Sequence, residues 1–180
     1  VGLIEVLVTI LITAFGLLAL AGLVVKSTAS EFDSYQRAQA SVLLTDMVER
    51  MNANRANAAA YITTTPLGTG ETTWTSCTAL PTGTARDQCE WSKALQGASE
   101  SKASGNAGAM VGARGCIELV QATNVTPGFC TAGIYRVSVV WQGQSATTAP
   151  ALACGQNQYG DDRLRRALAT LVEIGTPDCS

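Results

Sequence analysis

Residues 1–25, VGLIEVLVTILITAFGLLALAGLVV, carry one charge, Glu5, and two hydroxyls, Thr9 and Thr13. As a helix this run extends about 37 Å at roughly 1.5 Å per residue, longer than the ~30 Å hydrocarbon core of a bilayer. A helix that is apolar on every side for so long needs lipid or other helices around it. A cleaved secretory signal requires a positive start and a small-residue cleavage site; here no Lys or Arg precedes Lys26. A plain anchor explains the length but not Glu5. A carboxylate costs on the order of 2.5–3.5 kcal/mol at the centre of a membrane helix and less near its end. Glu5 either reaches the interface or awaits a cation. The nearest such cation is a free α-amine, the Val1 of another copy or of a related subunit.

Composition narrows the function. The 180 residues hold 12 Lys+Arg and 14 Asp+Glu, a net charge of −2, and no histidine. Charged residues make up 14% of the chain, against roughly 25% in typical domains. This balance argues against a chain held to nucleic acid by bulk charge. Without histidine there is no ordinary general base and no imidazole metal ligand. The three lysines, Lys26, Lys93 and Lys102, sit in no catalytic motif. The chain reads as an interaction protein, with neither enzymatic activity nor a cofactor.

The run LIEVLV, with Glu5 opening an apolar helix, resembles the N-terminus of processed type IV pilins and pseudopilins. Three further segments, RAQASVLLTDMVERMNANRANAAAY, YRVSVVWQG and CGQNQYGDDRLRR, resemble minor pilins of the PilV type. The resemblance implies an α+β pilin fold: a long N-terminal helix, its amphipathic half packed on a small antiparallel sheet with disulfide-stapled loops. It divides the chain into an apolar half-helix (1–25), an amphipathic half-helix (26–60) and a periplasmic or extracellular head (61–180). It implies cleavage by a prepilin peptidase, methylation at Val1, and pairing of Glu5 with a neighbour's N-terminal amine. The implied role is to prime or cap a type IV pilus as part of a tip complex. The implied partners are other minor pilins, the major pilin and a tip adhesin. Before assembly the chain would sit in the bacterial inner membrane, its head in the periplasm. A type II secretion pseudopilin and a major structural pilin are the alternatives. Where major pilins often have a proline near position 22, this chain has Gly16 and Gly22, so helix loosening would rest on glycine.

Beyond Lys26, no Gly or Pro interrupts residues 27–60. Phe32, Tyr35, Val42, Leu43, Met47 and Met51 recur near helical spacing and predict an apolar stripe. The helix is expected to end between Asn57 and Thr63, ahead of Pro66. Residues 64–84 and 99–114 read as loops, 86–98 as a short helix, and 117–120 as a strand. Residues 134–141 alternate as a strand, and 142–159 read as loop. Leu164–Ile174 fits a helix by periodicity, while the resemblance implies a terminal strand; the strand is adopted.

Cys77, Cys89, Cys116, Cys130, Cys154 and Cys179 form no C-x-x-C pair, which favours structural disulfides over redox or zinc chemistry. Six cysteines allow 15 pairings. Sequence neighbours suggest Cys77–Cys89, Cys116–Cys130 and Cys154–Cys179. Asp161-Asp162 reads as a solvated turn in preference to a calcium loop. Arg163, Arg165 and Arg166 read as edge-strand charges or as a contact for phosphate or a neighbour's acidic face. Asn124-Val125-Thr126 is a chance sequon. Trp74, Trp91 and Trp141 are expected to pack; an exposed Trp74 would be a candidate contact with a partner.

Overall fold

A computed structural model of the chain describes residues 2–97, 101–102, 105–106, 110–126 and 129–175. Helix α1 spans Leu3–Ala53 without a break. The chain divides into two compact units, the first ending at Tyr35 and the second beginning at Gln36. The first unit is helix, and every residue from 2 to 28 is exposed. The boundary falls ten residues beyond Val25, where the apolar run ends, because Gln36 is the first fully buried residue of α1.

In the second unit α1 buries Gln36, Ala40, Leu44, Met47 and Met51. This i, i+4, i+8, i+11, i+15 spacing keeps one face inward. Met47 and Met51 match the expected stripe. Tyr35 and Val42 do not: they are exposed, at 46% and 64%. Phe32 and Leu43 are half-buried. The α-helix stops at Ala53, and the chain continues as a 3-10 helix over Arg55–Tyr61, with non-helical geometry at Asn57. The coil therefore persists about as far as expected, but changes type.

A four-stranded antiparallel sheet has the order β1-β4-β7-β8, formed by β1 (Leu67–Gly68), β4 (Arg114–Gln121), β7 (Gly133–Gln142) and β8 (Arg165–Ile174). Two small hairpins accompany it: β2 (Ser101–Lys102) with β3 (Gly105–Asn106), and β5 (Asn124–Thr126) with β6 (Phe129–Thr131). Helix α2 spans Thr84–Leu95. β4 runs longer than the expected strand, and the β2–β3 pair falls where a loop was expected. β7 pairs with β8 along its whole length, from Gly133 opposite Ile174 to Gln142 opposite Arg165. That ten-residue ladder makes 165–174 a strand although its leucines have helical spacing; tertiary pairing overrides local preference.

Tyr135, Val137, Val139 and Trp141 of β7 join Leu44, Met47, Met51, Trp91 and Ile117 in the main core. The opposite face of the sheet holds a second cluster of Cys116, Val140, Cys154 and Tyr159. Trp91 is buried and donates its indole N–H to the Leu43 carbonyl of α1 at 2.8 Å. Its ring lies on Gly115, where a Cβ would come within 2.2 Å of the indole; only a residue without a side chain lets α2 approach β4 so closely. Trp74 is half-buried against this core, so it packs, as expected of the three tryptophans, and is not the exposed partner contact it would have been if left in the open.

Two disulfides join described cysteines. Cys77 is bonded to Cys89, and Cys116 to Cys154. The second corrects the expected Cys116–Cys130 and Cys154–Cys179 pairs. β4 and the loop after β7 meet on the outer face of the sheet, which brings Cys154 over Cys116 across 38 residues of sequence. By chain entropy the two bonds stabilise the fold by about 3 and about 4 kcal/mol. Cys130 is also disulfide-bonded; Cys179 lies outside the described residues.

Candidate functional site

Two surfaces stand out. The first is the apolar segment of α1. Its side chains are open to the surroundings: Leu3 is 83% exposed and Phe15 65%. None of its most apolar 18-residue stretch is buried. Such a helix is long and apolar enough to cross a membrane. At 100° per residue, Glu5, Thr9, Thr13 and Gly16 fall within an arc of about 80°. They form a polar and small-residue stripe on an otherwise apolar surface. The Thr9 hydroxyl donates to the carbonyls of Glu5 and Val6, and that of Thr13 to the carbonyl of Thr9. These hydroxyls are satisfied within the helix, so they cost little in apolar surroundings. The Glu5 carboxylate has no ion-pair partner among the described residues. Val1 lies outside them. α1 passes through Gly16 and Gly22 as regular helix, and a Cβ at either would meet no neighbour within 4 Å.

The second surface is the loop 143–164, fastened to the outer face of the sheet. Arg165 is fully buried. Its Nη1 donates to the carbonyls of Leu152 and Cys154 at 2.6 and 2.8 Å, and its Nη2 to that of Pro150 at 3.0 Å. Nε and Nη2 grip the two oxygens of Asp162, each at 2.8 Å. All five donors of the guanidinium are used. The Tyr159 hydroxyl donates to the Gly112 carbonyl at 2.8 Å, and the Arg114 guanidinium lies 5.1 Å from the centre of its ring. Arg163 pairs with Asp161 at 2.8 Å. The arginines are therefore fasteners of the loop, not the simple edge-strand charges the sequence suggested. Asp161 and Asp162 are their counter-ions. Among the described residues no group of three or more His, Cys, Asp or Glu could hold a metal ion. Asn124 of the sequon is exposed, and its side-chain oxygen accepts from Thr126.

A third cluster ties α2 to α1. Arg50 bonds Asp46 at 3.0 Å, Asp87 at 3.2 Å and Glu90 at 2.7 Å, and Arg86 also reaches Glu90 at 2.9 Å. The Tyr61 hydroxyl donates to Asp87. Burial works against the charge on Arg50, but Glu90 and Asp46 outweigh it and raise its pKa. Arg50 in turn holds the Glu90 carboxyl below its ordinary value. Arg163 lowers Asp161, and Arg165 lowers Asp162, in the same way. Carboxylates depressed in the fold add stability that is complete above their unfolded values, about 4, and is lost as pH falls through the folded values. Melting of the folded chain is thus expected to be flat from pH 7 to about 5 and to drop below about 4. An unchanged melting temperature down to pH 2 would contradict these ion pairs.

Residues 22–94 match a family model described as Tt1218-like, type IV pilin Tt1218. The match covers less than half of the chain. It takes in the second part of α1, the 3-10 helix, β1 and α2 almost to its end, and begins after Glu5. Comparison with curated proteins and with solved structures gave no match. The α+β arrangement of a long apolar helix, an antiparallel sheet and disulfides is consistent with the type IV pilin fold, and over residues 22–94 the chain is type IV pilin-like.

Proposed function

We propose that the chain is a minor pilin subunit, similar to the PilV type, that primes or caps a type IV pilus within a tip complex. The observation that carries the filament reading is Glu5: one carboxylate on an exposed apolar helix segment, in line with Thr9, Thr13 and Gly16; the choice of a minor pilin rests on the resemblance of residues 37–61, 135–143 and 154–166 to the PilV type. Before assembly the segment lies in the inner membrane with the head in the periplasm. During assembly it moves from lipid into a bundle of pilin helices. Lipid tails are as apolar as leucine, so packing and polar contacts between helices drive the transfer. The Glu5 carboxylate then meets the N-terminal amine of a neighbour in a medium of low dielectric, where pairing counts for more. Gly16 and Gly22 are the positions at which the helix loosens during the move. The partners are other minor pilins, the major pilin and a tip adhesin, and a prepilin peptidase supplies the mature Val1 amine.

Copies of this chain per major pilin in sheared filaments, counted by quantitative mass spectrometry, test the role. Trace amounts support the tip subunit. A dominant share makes it the structural pilin. Retention of the whole population in the cell envelope transfers it to a secretion pseudopilus.

A further inference from the structure

β8 is set apart by its open edge. β4 and β7 have a neighbour on each side, and β1 and the hairpin strands β2, β3, β5 and β6 are two or three residues long. β8 is ten residues long and pairs with β7 alone. The Gly143 N–H donates to the Leu164 carbonyl at 2.8 Å, which makes the opposed Gln142 and Arg165 a non-hydrogen-bonded pair. Bonded and non-bonded pairs alternate from there. Arg166, Leu168, Thr170, Val172 and Ile174 therefore bond β7, and the odd-numbered residues turn their N–H and C=O groups outward. The Asp162 carbonyl takes the Arg165 N–H. The outward groups of Ala167, Ala169, Leu171 and Glu173 have no partner among the described residues.

Long edges are ordinarily blunted by a proline, a charge or a bulge. Residues 167–172 hold no proline and no charge, and the ten pairs with β7 run without a shift in register. Ala167 and Ala169 are small, and Leu171 is 59% exposed. Such a row of donors and acceptors is matched by another extended backbone. Its two ends are charged. Arg166 is held by Thr147 and the Ser145 carbonyl, with no carboxylate partner among the described residues, and exposed Glu173 has no cation partner among them. A second β8 cannot match these ends. In an antiparallel pair outward residues oppose outward residues, so odd numbers face odd numbers and Arg166 never stands opposite Glu173. We propose that the open edge of β8 receives an extended segment of a different subunit of the tip complex as a fifth strand of the sheet. That segment is uncharged through its centre, with a carboxylate at the end beside Arg166 and a Lys or Arg at the end beside Glu173. The contact rests on the tip-subunit reading and deepens it: the head is joined to an unlike neighbour through its sheet.

The test uses the full-length chain in cells that make the filaments. A photo-crosslinking amino acid is placed at Leu171, and membranes and sheared filaments are irradiated separately. The expected adduct joins position 171 to a strand segment in the head of another pilus subunit, identified by sequencing the coupled peptide. Ala169→Pro removes an N–H that β7 does not use, so the ladder survives while the adduct is expected to fall at least about tenfold. Ala169→Lys leaves the backbone as it is, puts a charge on the edge, and is expected to lower the adduct about as much. Ala169→Ser should keep it. If the chain enters filaments but position 171 couples to no other subunit or only to a second copy of this chain, the edge contact is wrong and the filament reading stands. Normal coupling in both Ala169→Pro and Ala169→Lys overturns it equally. If the adduct forms yet the chain never leaves the envelope, the contact stands and the filament role falls. If neither occurs, both fall.

Discussion

Replacing Glu5 with alanine is expected to leave the chain in the membrane and to lower its share of sheared filaments by at least about tenfold. The membrane state does not depend on Glu5: the segment remains a long apolar helix without it, and removal of a charge favours insertion. The filament state is where the carboxylate gains a partner, so the loss falls on one side of the equilibrium. A tenfold drop corresponds to about 1.4 kcal/mol, modest for an ion pair away from water. Glu5→Gln should behave nearly as badly, because it keeps the shape and loses the charge. Membrane fractionation and immunodetection of sheared filaments give both numbers. Normal incorporation of Glu5→Ala would show that the carboxylate does not pair during assembly.

Arg165→Ala is expected to destabilise the head by about 3–5 kcal/mol, the range for one partner removed from a buried charge pair. At about 2–4 °C per kcal/mol this lowers the melting temperature by roughly 10 °C. The side chain is fully buried, and its loss strands the carbonyls of Pro150, Leu152 and Cys154 together with Asp162. Arg165→Lys should recover only part of the loss, since an ammonium cannot reach three separated carbonyls and both carboxylate oxygens at once. The Cys116–Cys154 bond keeps the loop near the sheet in either variant, so the loop should loosen before it detaches. Thermal unfolding of the full-length chain in detergent, with limited proteolysis of residues 143–164, reads both effects. A shift below about 2 °C would mean that the guanidinium is dispensable.

The sequence made some of this legible and hid other parts for physical reasons. The apolar run and Glu5 could be read directly, because few structures tolerate an apolar helix of that length. The β7 alternation was equally plain. The inward stripe of α1 was harder. Gln36 and Ala40 are core positions filled by a polar and a small residue, so apolar periodicity put Tyr35 and Val42 in their place. The strand at 165–174 could not be settled from its own letters, because its pairing with β7 decides it. The Cys116–Cys154 bond depends on where the loop after β7 returns, which cysteine spacing does not encode. The β5–β6 pair had a usable signal in the Pro127-Gly128 dipeptide between two short runs, a stretch to which the sequence reading assigned no element. The arginine cluster had one too: Asp162 three residues before Arg165 announces a pair, although nothing local reveals that Arg165 is buried.

The central claim is that the apolar segment of α1 leaves the bilayer to become part of a filament core. The most direct measurement places a photo-crosslinking amino acid at Phe15, which is 65% exposed on that segment, and irradiates membranes and sheared filaments separately. In filaments the account expects a covalent adduct whose partner peptide comes from the N-terminal helix of another pilin, and in membranes an adduct with lipid. A filament fraction in which the chain is present but Phe15 couples to no pilin helix would contradict it.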